Sequence, residues 1–154
     1  MTSDERFMRA ALEEAQLAMD GGDVPVGAVL VMDGEIVGRG RNRRVAENDP
    51  LAHAEVDALR RAAASLGAWR FDGASLYVTL EPCPMCAGSL IQARVSRVVF
   101  GAYDIRGGGV RSLFQICEDK RLAHRLQVQP AVLEQECADL LQSFFRRTRQ
   151  RKTR

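Results

Sequence analysis

Four side chains in two short segments could share one chemical task. Ala52-His53-Ala54-Glu55 sets an imidazole two residues from a carboxylate, and Glu81-Pro82-Cys83-Pro84-Met85-Cys86 sets two thiols three residues apart. On one helical turn the sulfurs at i and i+3 face the same way. Pro84 suits the first position of a helix, which makes Cys83 its cap and puts both thiols at a helix N-terminus, where the macrodipole favours thiolate. Taken alone, Cys-x-x-Cys fits a metal site, a redox dithiol or two small buried hydrophobes. His53 tips the balance, because one His and two Cys give zinc three ligands and leave the fourth tetrahedral position for water or substrate. Cys117, Cys137 and His124 lie in other segments without ligand-like spacing. The expectation is an open, and therefore catalytic, zinc site.

Glu55 gives His53 its weight. An ideal helix turns residues i and i+2 about 200° apart, so this pair cannot both face a metal beside a helix flank. They converge only at a first turn whose end looks at the site, and Asp49-Pro50 upstream permits that placement. Placed there, Glu55 is a poor ligand but a good proton shuttle for a zinc-activated water. The alternative for Glu55 is an exposed helical glutamate.

These segments need elements to position them. Thr2 and Glu5 have capping-box spacing, Met8, Leu12, Ala15 and Met19 continue an apolar stripe, and Gly21-Gly22 stops this first helix. Val26 to Met32 and Glu35 to Gly40 read as strands joined by the hairpin dipeptide Asp33-Gly34. Residues 42–49 read as a loop, and Asp49-Pro50 opens an Ala/Leu/Arg-rich helix reaching about Ser65. Strands follow at Ser75–Leu80 and Arg97–Ala102, with a helix from about Met85 to Ala93 between them. Gly107-Gly108-Gly109 reads as a flexible turn before a short helix near Ser112–Ile116, and Leu126–Gln129 as a short fifth strand. A last helix runs from Glu134 to about Arg147, with Leu133, Cys137, Leu140, Leu141 and Phe144 as its stripe. An antiparallel hairpin followed by strand–helix–strand units predicts an α/β layered domain with a mixed five-stranded sheet.

The 154 residues, 46% of them apolar, suit one domain with one core. No apolar run approaches the ~18 residues of a membrane helix, and residues 1–20 lack the apolar stretch of a secretory signal. Membrane-bound and exported classes are set aside, the four cysteines are read as reduced thiols, and a cytoplasmic location is expected. Arg146, Arg147, Arg149, Arg151, Lys152 and Arg154 crowd the last nine positions, leaving 16 basic against 20 acidic side chains before them. The chain therefore divides into a mildly acidic domain, 1–145, and a basic tail, 146–154, which suits phosphate backbone and equally suits a solubilising terminus.

His-Ala-Glu followed by Pro-Cys-x-x-Cys resembles the zinc-dependent cytidine and deoxycytidylate deaminase superfamily. The resemblance is strongest to the bacterial tRNA-specific adenosine deaminases. It runs through Asp23–Val29, Arg41-Asn42-Arg43, Asp49–Glu55, Leu76–Gly88, Arg97–Ala102 and Phe144-Phe145-Arg146. Leu51 departs from the threonine usual there. The resemblance implies a three-layer cytidine-deaminase-like fold, one Zn2+ per subunit on His53, Cys83 and Cys86, and Glu55 as catalytic acid/base. It further implies that Asn42, the Ala54 N–H and Asp104 contact the target nucleotide, that Phe145 and Arg146 meet the anticodon loop, and that the active form is a homodimer. The reaction so implied is hydrolytic deamination of adenosine to inosine at the wobble position of tRNA. Two alternatives stand beside it: a deaminase of a free base such as guanine or cytosine, and a non-catalytic zinc-stabilised RNA-binding module.

Overall fold

The computed structural model describes residues 1–152, with side chains through residue 150. Helix α1 (Ser3–Asp20) starts on the expected capping box: the Glu5 N–H donates to Thr2 Oγ1 at 3.1 Å and the Thr2 N–H to the Glu5 carboxylate at 3.3 Å. Strands β1 (Gly27–Met32) and β2 (Glu35–Arg41) form the hairpin, and Asp33 (φ 51°) and Gly34 (φ 76°) supply the two left-handed residues its turn requires. Strands β3 (Ser75–Leu80), β4 (Arg97–Ala102) and β5 (Gln127–Gln129) complete a five-stranded sheet in the order β2-β1-β3-β4-β5. The pairs β2/β1 and β1/β3 are antiparallel, and β3/β4 and β4/β5 are parallel.

Alternation along the strands builds two cores. Ala28, Leu30, Leu76, Val78, Val98 and Phe100 point to one face, against α3 (Ala54–Leu66) and α4 (Pro84–Gln92). Val29, Val31, Tyr77 and Val99 point to the other, against α1 and α5 (Glu134–Lys152). Both faces of the sheet are thus covered by helices, which makes three layers.

Helix α3 lies unusually close to the sheet edge. A Cβ on Gly38 would sit 2.4 Å from the Ala58 carbonyl oxygen, and one on Gly40 would sit 2.3 Å from both the Ala54 oxygen and the Ala58 nitrogen. These β2 glycines are what admit the helix that carries Glu55.

Four elements differ from the sequence reading. The loop over 42–49 contains a single helical turn, α2 (Arg44–Glu47). Its first N–H groups are taken by the buried Asp23 carboxylate, from Val45 at 2.7 Å and Ala46 at 3.2 Å. Helix α3 begins at Ala54, not at Asp49-Pro50, since residues 49–53 are held in turns. The short helix near Ser112–Ile116 is instead a 3-10 turn at Ile116–Glu118. Helix α5 continues past Arg147 to Lys152, so the beginning of the expected tail is helical, while the side chains of Arg151 and Lys152 and residues 153–154 lie outside the described residues.

Helix α1 is tied to the sheet by Asp4, whose carboxylate accepts from both Arg97 guanidinium nitrogens at 2.9 and 2.8 Å and from the Tyr77 hydroxyl at 2.7 Å. The Arg97 hydrogen bonds hold the Asp4 carboxyl below its ordinary 3.8 against the opposing effect of burial, with Tyr77 helping. Its folded-state pKa is depressed, so its stabilisation is full above 3.8 and is lost as pH falls through the folded value. Asp4→Asn should therefore lower the urea midpoint at pH 7 and converge on the parent protein once the pH falls below the depressed Asp4 value. A deficit that persists undiminished at that acidity would assign the loss to packing.

Candidate functional site

The ends of several elements meet at one edge of the sheet. β3 runs out at Leu80 into Glu81-Pro82-Cys83, β4 runs out toward Asp104, and the start of β1 and end of β2 lie alongside because their pairings are antiparallel. The first turn of α3 faces the same place. His53 is its N-cap, with extended backbone (φ −82°, ψ 153°), so its ring leaves the helix axis at the end, and Glu55 follows in the first turn. Cys83 caps α4 with Pro84 at the first helical position, and Cys86 lies one turn on.

The three ligand-type atoms converge. His53 Nδ1 lies 3.6 Å from Cys83 Sγ and 3.5 Å from Cys86 Sγ, and all three atoms fall within 4.8 Å of one another. Tetrahedral bonds of about 2.3 Å to sulfur and 2.05 Å to nitrogen require an S···N separation of about 3.5–3.6 Å, so the donor set fits zinc. Among the described residues no other group of three such side chains approaches this spacing. Cys117 and Cys137 are buried elsewhere, and His124 Nε2 bonds the Val95 carbonyl at 2.6 Å.

Charge is polarised within the group. The Cys83 thiol is pulled down to about 4, chiefly by its hydrogen bond with Cys86 and, against burial, by His53. Cys86 is pushed up by the Cys83 hydrogen bond and by burial. His53 is raised, first by its hydrogen bond with Cys83. The site thus stabilises a thiolate beside an imidazole. Glu55, 4% exposed, is pushed up to about 7, first by burial, with the Cys83 charge adding to the rise, while its backbone bond and His53 oppose it. A carboxyl with that value exchanges protons readily at neutral pH.

His53, Glu55 and Cys83 line a cleft of about 150 Å³ with Val24, Asn42, Arg44, Glu81 and Asp104, and Cys86 is buried behind them. A wider cleft of about 500 Å³ adjoins it, shares Val24, Asn42 and Arg44, and is walled by Val45, Pro50 and Phe144. A larger groove, about 1110 Å³, lies between α1 and the β2 edge. It carries none of the ligating atoms, and its Arg39, Arg41, Arg43 and Arg61 are paired with Glu13, Glu14 and Asp57.

The remaining residues singled out by sequence fall unevenly. Asn42 lines the cleft, but its Oδ1 accepts the Ala54 N–H at 3.1 Å and its Nδ2 donates to the Val24 carbonyl at 3.2 Å, so Asn42 and Ala54 bond each other. Asp104 lines the cleft while its Oδ1 accepts from the Arg106 and Gly107 N–H groups. Phe145 is 48% exposed and Arg146 is exposed, and neither lines the two adjoining clefts, whereas Phe144 does. Sequence reasoning missed Asp23, Arg44 and Glu81. A buried acid directly before Pro82-Cys83 was a usable signal for the last of these; the other two depend on tertiary contacts.

A family profile described as MafB19-like deaminase matches residues 2–149. The tRNA-specific adenosine deaminase of Bacillus subtilis (strain 168) is 48% identical over 152 residues, covering 99% of this chain and 94% of its own. A solved structure from work on A-to-I editing by tRNA:A34 deaminases at the wobble position of transfer RNA superposes with a TM-score of 0.84 at 43% identity, over 88% of this chain and 98% of that one. The guanine deaminase structure from Bacillus subtilis gives 0.61 at 42% identity over 64% of each chain.

Proposed function

The chain belongs to the MafB19-like deaminase family, alongside the tRNA-specific adenosine deaminases, and from that premise we propose that it hydrolyses adenosine at the wobble position of tRNA to inosine and ammonia. The observation that carries the chemistry is the buried Glu55 carboxyl beside the His53, Cys83 and Cys86 donor atoms. The full-length similarity to a tRNA-specific relative carries the substrate.

In this reading His53 Nδ1, Cys83 Sγ and Cys86 Sγ hold one zinc ion per chain. Zinc held there supplies Lewis-acid activation of a water. The Glu55 carboxylate accepts a proton from the attacking water and, as the acid, returns it to the departing amine, so adenosine plus water become inosine plus ammonia. Burial of Glu55 keeps both of its protonation states within reach at neutral pH. The narrow cleft admits a base only once that base has left its stack, which an anticodon loop allows at little cost. Asn42, Asp104 and Arg44 line the walls that orient it, with the Ala54 N–H holding Asn42 in place.

The protein is read as cytoplasmic, consistent with a tRNA substrate; no helix among the described residues is long and apolar enough to cross a membrane. A homodimer belongs to the same reading, supported by exposed Met85, Tyr103, Ile105, Leu113 and Phe114 in the segments flanking the cleft. So does the division at 145/146, with the basic end of α5, Phe145 and Arg146 included, serving the anticodon loop. Truncation after Arg147 should weaken tRNA binding more at low salt than at high salt. Loss of affinity independent of salt would make that end structural.

The function is tested by incubating the protein with total tRNA and sequencing for A-to-I changes, in parallel with ammonia release from free guanine, cytosine and adenine. Inosine at one anticodon position supports the proposal. Ammonia from a free base with unaltered tRNA would replace it with the small-substrate deaminase reading.

A further inference from the structure

One buried carboxylate near the cleft has no part in the chemistry above and holds five donors. Glu81 is 2% exposed. Its Oε1 accepts the Asp104 N–H at 3.1 Å and the Ser112 hydroxyl, and its Oε2 accepts the N–H groups of Val110 at 3.2 Å, Arg111 at 2.8 Å and Ser112 at 2.9 Å. Four of these donors are backbone, so the carboxylate gathers both ends of the segment 104–112. That segment is also pressed onto the turn bearing Cys83. The Gly109 N–H donates to the Pro82 carbonyl at 2.7 Å, and a Cβ on Gly109 would stand 2.8 Å from Pro84 backbone. A Cβ on Gly108 would stand 2.3 Å from the Glu81 carboxylate carbon. The triple glycine expected to be a flexible turn is thus a close-approach segment, and none of its three residues has a left-handed φ.

Holding so many N–H groups on one buried carboxylate fixes a stretch without secondary structure of its own. We propose that Glu81 is a positioning residue for substrate binding, its carboxylate drawing 104–112 against the Pro82–Pro84 turn so that Asp104 forms a fixed wall of the cleft. This rests on the cleft being the adenosine site. Glu81 acts through the loop, so its removal should raise KM with little change in kcat. A merely structural role would move thermal stability without that split.

The test compares Glu81→Gln, Ser112→Ala and the double variant on an anticodon stem-loop, with zinc content and hydrogen–deuterium exchange of 104–112 measured alongside. In Glu81→Gln one acceptor becomes an NH2 group facing N–H donors. The expected result is a KM raised about 10-fold or more, kcat within about 3-fold, one zinc retained per chain, and faster exchange confined to 104–112. Ser112→Ala removes one donor and should raise KM about 2- to 3-fold, with no further effect in the Glu81→Gln background, because the two share one interaction. Unaltered KM and exchange in an active protein would overturn the proposal, as would a fall in kcat alone or loss of zinc. Should Glu81→Gln not fold, Ser112→Ala decides by the same two measurements. Should the parent protein leave the stem-loop untouched, the functional reading fails on its own, and the exchange data still decide whether Glu81 holds the loop.

Discussion

Glu55→Gln gives a folded chain that keeps its zinc and releases ammonia about 10²- to 10⁴-fold more slowly than the parent. The amide matches the carboxyl in shape, so the buried position in α3 stays filled and the His53, Cys83 and Cys86 atoms keep their spacing. What disappears is the capacity to take a proton and give it back, since a neutral amide does neither at any accessible pH. Glu55→Ala should show the same loss of turnover with an added packing cost. Turnover is read as ammonia release, and retention of the ion by elemental analysis. Near-parental turnover in a zinc-loaded Glu55→Gln protein would place the proton shuttle on another group.

Cys86→Ser removes the ion and the activity together. Cys86 is fully buried one turn from Cys83, and serine in its place offers a hydroxyl that stays protonated where the thiol yields a thiolate. Zinc content should fall from one per chain to roughly a tenth or less in metal-free buffer, with ammonia release at background. Native-state binding at 1,000 times the dissociation constant contributes about 4 kcal/mol, so the unfolding midpoint should drop by on the order of 10 °C. A strong chelator should reproduce both effects in the parent, and added zinc should reverse them. Cys117→Ser is the control: Cys117 is equally buried but outside the donor group, so that variant should lose some stability and keep its zinc. A Cys86→Ser protein that holds zinc normally would remove Cys86 from the proposed ligand set.

What was legible in the sequence is what is decided within a few residues. The Thr2/Glu5 box, the Asp33-Gly34 turn and the Pro84 start of α4 are local events, and each lies where its spacing puts it. The convergence of His53 and Glu55 could also be argued locally, because only a helix end lets i and i+2 look at one point, and His53 is that end. A mixed five-stranded sheet layered with helices followed from alternation of elements, whereas the order β2-β1-β3-β4-β5 was not written in it. The misses share a different cause. Single-turn α2 exists because Asp23, some twenty residues away, takes its N–H groups. Glycines 107–109 look like a flexible turn until Glu81 and Pro84 are seen beneath them. Likewise, nothing in the spacing of Asn42 and Ala54 says that they bond each other. In each case a partner distant in the chain supplied or took a hydrogen bond, and no periodicity records that.

The seam between β2 and α3 has a consequence for mutational drift. Gly38 and Gly40 meet Ala54, Ala58 and Ala62, so one side has no side chain and the other has the smallest one. A larger residue on either side cannot be compensated by shrinking its opposite, because the strand side has no side chain to remove and the helix side makes its closest contacts through backbone. Paired changes, the usual escape from a tight interior, are closed off here. Variant libraries should therefore find this seam nearly immutable while the rest of α3 tolerates exchange, and the helix bearing His53 and Glu55 is held in place as firmly by atoms that are missing as by those that are present.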